Sequence, residues 1–199
     1  GRIQCARVDL IDEYASVIFI SPNAVKFGLG QIKQRRRKLT HQRLFAVGAG
    51  TAASLRECGY AHVSTPINEF NSDGLLQLQG LQDSTVRGSK ILIFRGLGGR
   101  EHLAQTLSLR GAEVDYCEVY ERYMPPISVA GRLAEAHVTV PDIGIVTSLE
   151  SLNNLAAKID AEQLHRLFNM PLVVVSRRIA HKVAELGFTN PPVMVDNPD

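Results

Sequence analysis

Tryptophan is absent from this 199-residue chain, and cysteine occurs only three times. The thiols of Cys5, Cys58 and Cys117 are too few and too scattered for a disulfide framework, so reduced thiols and a cytoplasmic protein are expected. A surplus of one charge is also missing. The 22 basic residues face 20 acidic ones, a formal net charge of +2 that leaves no electrostatic footprint for nucleic acid. The one basic run, Arg35-Arg36-Arg37-Lys38, has no interleaved aromatics and reads as a solvated loop. No stretch approaches the ~20 apolar residues of a membrane span, so no membrane partner is expected. No secretory signal opens the chain, although Gly1 is not a natural start. The six histidines, His41, His62, His102, His137, His165 and His181, show no HxxxH or Cys/His spacing, and no metal site is expected. No serine stands in a nucleophile elbow and no carboxylate pair stands out.

What is present is a repeat. Val17-Ile18-Phe19-Ile20-Ser21 is an apolar run ending in a serine at the start of a helical stretch, and Ile143 to Ser148 does the same before Leu149-Glu150-Ser151-Leu152. The continuation matches too. Leu44 to Gly48 followed by Thr51 to Tyr60 parallels Leu172 to Ser176 followed by Ile179 to Phe188. Each copy reads strand, helix, strand, helix, glycine stop, strand. The pattern predicts an α/β fold of two similar lobes with parallel sheets, duplicated from one unit, with a cleft between them.

Strands are expected near 17–20, 44–48, 61–65, 91–94 and 114–120, with helical patterns between them, including one from Gly99 to Arg110 stopped by Gly111. Cys5 to Tyr14 reads as the tail of a helix. Tyr123-Met124-Pro125-Pro126 breaks the alternation and marks a linker. Beyond it come a helix over 127–137 and strands near 143–147, 172–176 and 193–196. The expected division is a complete lobe over 1–118, a linker over 119–126 and a partial lobe over 127–199. Three strands make that second lobe incomplete, and the strands it lacks are expected in an N-terminal segment.

In such sheets the chemistry sits at the carboxyl ends of the strands. Ser21-Pro22-Asn23 has the composition of a helix cap, which by itself accounts for the serine. Gly48-Ala49-Gly50-Thr51 brings backbone close to a ligand ahead of a helix start that favours anions. Thr147-Ser148 and Ser176-Arg177-Arg178 hold the corresponding places in the second copy, and the arginines there suit a carboxylate. Between a strand and a helix, Phe94-Arg95-Gly96-Leu97-Gly98-Gly99-Arg100-Glu101 offers three glycines for a tight turn and two arginines for carboxylate or phosphate. Its glycine spacing is not the dinucleotide fingerprint and it has no Walker lysine, so a nucleotide- or sugar-phosphate-binding protein stays an alternative only.

Six segments in order resemble the uroporphyrinogen-III synthase family. They are Val17 to Val25, Ala46-Val47-Gly48 with Thr51-Ala52, Ile93 to Glu101, Arg110 to Arg122 with its arginine-glycine-alanine lead, Val146-Thr147-Ser148 with Glu150, and Val173 to Ser176 with Arg178. Together they span nearly the whole chain. The resemblance implies two three-layer lobes joined by a two-stranded linker, segment-swapped so that N-terminal strands complete the C-terminal lobe. Cys117 to Arg122 would be the returning linker strand.

The implied reaction is the dehydrating cyclisation of hydroxymethylbilane to uroporphyrinogen III, with inversion of ring D and no cofactor. The implied partner is that anionic linear tetrapyrrole, and the family precedent implies a monomer. Tyr120 matches the family tyrosine proposed to assist loss of the hydroxyl, and a phenol can donate the hydrogen bond this needs. An interface-packing aromatic is the competing reading of that position. The substrate-binding set carried over is Ser21, Gly48, Thr51, Arg95, Gly96, Gly99, Arg100, Thr147, Ser148, Ser176 and Arg178. Ile179 stands where some relatives have a threonine and has no polar chemistry to offer.

Overall fold

The computed structural model describes residues 1–99, 101–124 and 126–195. Its contacts divide the chain into Gly1–Tyr123 and Met124–Asp199.

The first unit is built on five parallel strands: β1 (Ser16–Phe19), β2 (Arg43–Ala46), β3 (Val63–Ser64), β4 (Lys90–Gly96) and β5 (Glu113–Tyr120). They lie in the order β3-β2-β1-β4-β5. The helices α1 (Pro22–Gln34) and α2 (Ala49–Glu57) carry the chain outward from β1 to β3. The short helices α3 (Ser72–Leu76) and α4 (Asp83–Val86) then lead back to β4, and α5 (His102–Leu109) joins β4 to β5. Alternation along each strand sends side chains to opposite faces. Val17, Phe19, Leu44, Ala46, Leu92 and Phe94 enter one core with Ala24, Val25 and Ile32 of α1. Ile18, Phe45, Ile91 and Ile93 enter another with residues of α3, α4 and α5. Phe19 and Phe94 stack with ring centroids 4.8 Å apart. Gly28 makes room for them, since a Cβ there would sit 2.6 Å from the Phe94 ring.

One expectation shifts here. Ala6–Glu13 is a 3₁₀ helix with a kink at Leu10, not the tail of an α-helix. The cause is legible: Cys5, Val8, Ile11 and Tyr14 are all buried and recur every third residue, the period of a 3₁₀ turn. β5 ends at Tyr120, where the strand expected near 114–120 ends. On its outer side Arg2 bridges Tyr120 in antiparallel fashion.

The second unit contains α6 (Val129–Glu135), β6 (Gly144–Val146), α7 (Leu149–Ala161), β7 (Leu172–Val174), α8 (Arg177–Glu185) and β8 (Val193–Met194). Its three strands are parallel in the order β6-β7-β8. One core holds Val146, Leu172 and Val174 against Leu152, Ala156 and Ile159 of α7 and Ile179 and Val183 of α8. The strand expected near 193–196 is shorter, and Asp196 lies outside the described residues. No helix among the described residues is long and apolar enough to cross a membrane.

Candidate active site

In the first unit the strand order reverses between β1 and β4, the place where open α/β sheets form a crevice at their carboxyl ends. Ser21 leaves β1 there and caps α1, its Oγ accepting from the Ala24 N–H at 3.1 Å. The same Oγ lies 3.0 Å from the phenol oxygen of Tyr120, the last residue of β5. Ninety-nine residues separate the two hydroxyls in sequence.

A slip in register brings Tyr120 to that place. Arg95 pairs with Glu118, but Gly96 pairs with Tyr120, so Val119 is the extra residue of a bulge. Strict alternation would put Tyr120 on the same face as Tyr116, which packs toward the α3–α5 core. The bulge moves it to the α1 face, where its ring stacks on Phe27 at 5.7 Å. Gly96 completes the seat: a Cβ there would stand 2.8 Å from the Tyr120 ring. The Leu97 N–H donates to the Tyr120 carbonyl at 2.7 Å and holds the loop against the strand end. Tyr120 is only 5% exposed.

Chemically this is a hydrogen-bonded chain in which either hydroxyl can donate to the other. Ser21 accepts from the amide at the α1 start and still has its own proton for the phenol oxygen. In that arrangement Tyr120 keeps its O–H for a third group. Hydrogen bonds in series polarise one another, and the positive end of the α1 dipole stands behind the chain.

Gly48 and Thr51 occupy the neighbouring strand end. Gly48 is the N-cap residue of α2 and supplies no side-chain acceptor, so among the described residues the first-turn amides of that helix lack a side-chain partner. The Val47 N–H donates to the Phe19 carbonyl at 3.1 Å and ties this corner to β1. Thr51 is buried in the first turn.

The glycine–arginine loop is arranged differently from the expectation of a free anion clamp. Arg95 is 8% exposed, and its Nε and Nη2 donate to Glu118 Oε1 at 3.1 and 2.9 Å. Nη1 donates to Glu101 Oε1 at 2.9 Å, and the guanidinium lies 3.5 Å from the centroid of the Tyr116 ring. Its position over Tyr116 sets it on the face opposite Tyr120. The Arg95 hydrogen bond is also what holds the Glu101 carboxyl below its usual range. Glu118 Oε1 further accepts from the Gly98 N–H at 3.2 Å, a contact that opposes a phosphate in the same turn. Gly98 and Gly99 have φ of +73° and +113°, where only glycine is unstrained. Arg95 therefore braces the loop, and Glu118 is the residue that sequence reading missed. Arg100 lies outside the described residues.

In the second unit the expected serines are helix caps. Ser148 Oγ accepts from the Ser151 N–H at 3.1 Å and contacts Ser151 Oγ at 2.8 Å. Ser176 Oγ accepts from the Ile179 N–H at 3.4 Å. Thr147 and Arg178 are exposed, and the Arg178 side chain makes no ion pair among the described residues. A cavity of about 980 Å³ runs beside α1 and α2, but it does not include Tyr120.

A sequence-family model described as uroporphyrinogen-III synthase HemD matches residues 2–193. The uroporphyrinogen-III synthase of Salmonella typhimurium is 35% identical over 195 residues, covering 97% of this chain and 78% of that protein. The one from Escherichia coli is 36% identical over 182 residues, covering 90% and 73%. Among solved structures, uroporphyrinogen-III synthetase from Helicobacter pylori aligns with a TM-score of 0.62 at 16% identity, over 94% of this chain and 79% of that one. A uroporphyrinogen III synthase from Thermus thermophilus aligns at 0.56 with 17% identity, over 97% and 76%. At those identities the structural likeness speaks to the α/β fold.

Proposed function

The chain belongs to the uroporphyrinogen-III synthase family of lyases, and from that premise we propose that it cyclises hydroxymethylbilane to uroporphyrinogen III in porphyrin biosynthesis. Water is lost and the last pyrrole ring, ring D, is inverted on the way. The hydrogen-bonded pair Ser21–Tyr120 is the observation that carries the assignment of chemistry. Tyr120 donates its O–H to the departing hydroxyl of the substrate, while Ser21 donates to the phenol oxygen and stabilises the charge that gathers on it. The cation left behind closes through a spiro intermediate. Holding the chain pre-folded supplies the remaining acceleration. Dehydration and ring closure involve no net redox change, so no cofactor enters the scheme.

The substrate bears acetate and propionate groups. The amides at the α2 start, reached through Gly48 and Thr51, are suited to one carboxylate. In the second unit, Ser148 and Ser176 hold helix starts of the same kind, and Arg178 with Thr147 supplies donors for others. Gly96 and Gly99 shape the loop, and Arg95 braces it. A cytoplasmic monomer is part of the same reading, supported by biosynthetic bacterial relatives and three free thiols.

The experiment is a coupled assay that generates hydroxymethylbilane in place and resolves the isomers after oxidation. Formation of the type III product above the spontaneous type I background is expected. Type I alone, from a folded preparation, would remove the assignment.

A further inference from the structure

The residues at the head of the chain run antiparallel along the outer side of β5, and their register leads one buried cysteine toward another. Gly1 donates to the Glu121 carbonyl at 2.8 Å, and Glu121 returns a bond to the Gly1 carbonyl at 3.0 Å. Arg2 opposes Tyr120, and the Ile3 N–H donates to the Val119 carbonyl at 3.1 Å. Each step forward along the first segment is a step back along β5, and that register continued from Ile3 leads Cys5 toward Cys117, while the Cys5 N–H itself turns to Gln31. Directly opposed antiparallel residues have Cβ atoms ~4.5–5.5 Å apart. A disulfide asks for ~3.5–4.5 Å between the same atoms. Both side chains lie in one buried cluster of the first unit.

The segment is anchored to α1 by Gln31, a fully buried side chain. Its Oε1 accepts from the Cys5 N–H at 2.9 Å, and its Nε2 donates to the Ile3 carbonyl at 2.6 Å. Cys117 is sealed in the core, but Cys5 borders a surface opening of about 410 Å³ that it shares with Gln4, Ala6 and Glu118. The Cys5 thiol is pushed down in pKa, first by the hydrogen bond from Cys117, against the effect of burial, and then by the Arg7 and Val8 backbone and by Arg35. Cys117 is pushed up by the same hydrogen bond and by burial. Cys5, beside the opening, is thus placed to meet an oxidant first, and the sealed Cys117 to resolve. Cys58 is exposed and far along the chain on α2's end, so it offers an internal contrast.

We infer that Cys5 and Cys117 form a reversible redox pair, closed to a disulfide by peroxide and reopened by thiol reductants. The Cys5 thiolate attacks one peroxide oxygen, forming an S–O bond as the O–O bond breaks and hydroxide leaves, which takes up a proton to become water. The Cys117 sulfur then attacks Cys5 sulfur and displaces hydroxide, which leaves as water with the Cys117 proton. Overall two thiols and one hydrogen peroxide give one disulfide and two waters. The bond would pin the leading segment onto the strand that carries Tyr120, three residues beyond Cys117.

The test uses the full chain with Cys58→Ser, to remove the exposed thiol. After graded hydrogen peroxide the protein is alkylated in denaturant and its peptides are mapped by mass spectrometry without reduction. The expected result is a Cys5–Cys117 linked peptide pair lighter by two hydrogen atoms, lost on dithiothreitol treatment. In the further variant Cys117→Ser, a sulfenic acid at Cys5 should become trappable by a dimedone probe. Two free, alkylatable thiols after peroxide would overturn the inference. So would oxidation of Cys5 to sulfinic acid with no linked peptide in the Cys58→Ser chain, a readout that does not depend on how well Cys117→Ser folds.

Discussion

Ile18 and Ile145 hold the same position in the two copies of the repeat, three residues before a capping serine, yet their surroundings are opposite. Ile18 is fully buried, whereas Ile145 is 72% exposed. Their neighbours follow suit: Phe45 is buried, and its counterpart Val173 is only partly so. The face that carries Val17 and Phe19 in the first unit, and Val146 in the second, is covered in both by the two helices of the repeat. The opposite face is covered in the first unit by Leu75, Leu81, Val86, Leu103 and Leu107, all from the stretch between β3 and β5. The second unit has no counterpart of that stretch among the described residues. A strand–helix–strand repeat therefore specifies one buried face, and the other depends on chain outside it. Parallel sheets ordinarily bury both faces, which makes Ile143, Ile145 and Val193 the positions where the second unit departs from the rule.

The most direct way to break this comparison is to truncate both isoleucines. Ile18→Ala removes a fully packed side chain and should cost about 2–5 kcal/mol. Ile145→Ala should fall within about 0.5 kcal/mol. Denaturant unfolding of the two variants is the measurement. An equal loss in both would mean that the face bearing Ile145 is covered in solution.

The part of the fold that could be read beforehand is the part set by local chemistry. Apolar runs ending in Ser21, Ser148 and Ser176 fixed three strand-to-helix junctions, because each serine is a cap whose acceptor is used within three residues. Gly59, Gly111 and Gly187 marked helix ends, and all three have positive φ. The site was legible only in pieces. Tyr120 and Ser21 were candidates by resemblance, but their hydrogen bond depends on a bulge at Val119 that no period-2 pattern contains. Arg95 looked like an anion donor because its partner Glu118 lies on the next strand, 23 residues away. The alternation in Tyr116, Glu118 and Tyr120 was a usable signal for Glu118, since it placed a carboxylate on an edge strand beside a basic loop. The short α3 and α4 gave no sustained period, so the cover over Ile18 could not be assigned.

The chemistry shows the same asymmetry, because among the described residues only the first unit has strands equivalent to β4 and β5. Tyr120→Phe keeps the ring stacked on Phe27 and removes one oxygen, so the fold should stand while turnover falls about 10²-fold, a general-acid effect. Steady-state kinetics with circular dichroism as the folding control decide it, and near-normal turnover would take Tyr120 out of the mechanism. Gly96→Ala tests the seat rather than the hydroxyl. The added methyl would meet the Tyr120 ring at 2.8 Å, and overpacking of this kind costs about 1–3 kcal/mol. Stability and kcat should fall together in that variant, unlike in Tyr120→Phe, and a loss of stability alone would show that the ring can move without consequence.

The smallest effects separate the two units most cleanly, through serines that differ in one contact. Ser21 and Ser148 are related by the repeat and cap α1 and α7 in the same way, with each Oγ 3.1 Å from the amide three residues on. Removing either cap should cost about 1 kcal/mol. Only Ser21 also reaches a phenol; the second contact of Ser148 is Ser151, on its own helix. Ser21→Ala should therefore lower kcat in addition to stability, because Tyr120 loses the donor to its oxygen. Ser148→Ala should leave kcat unchanged and register at most in KM, through a frayed helix start. A matching fall in kcat for both variants would show that the rate responds to helix capping in general, and the hydrogen-bonded chain from the Ala24 amide through Ser21 to Tyr120 would lose its support.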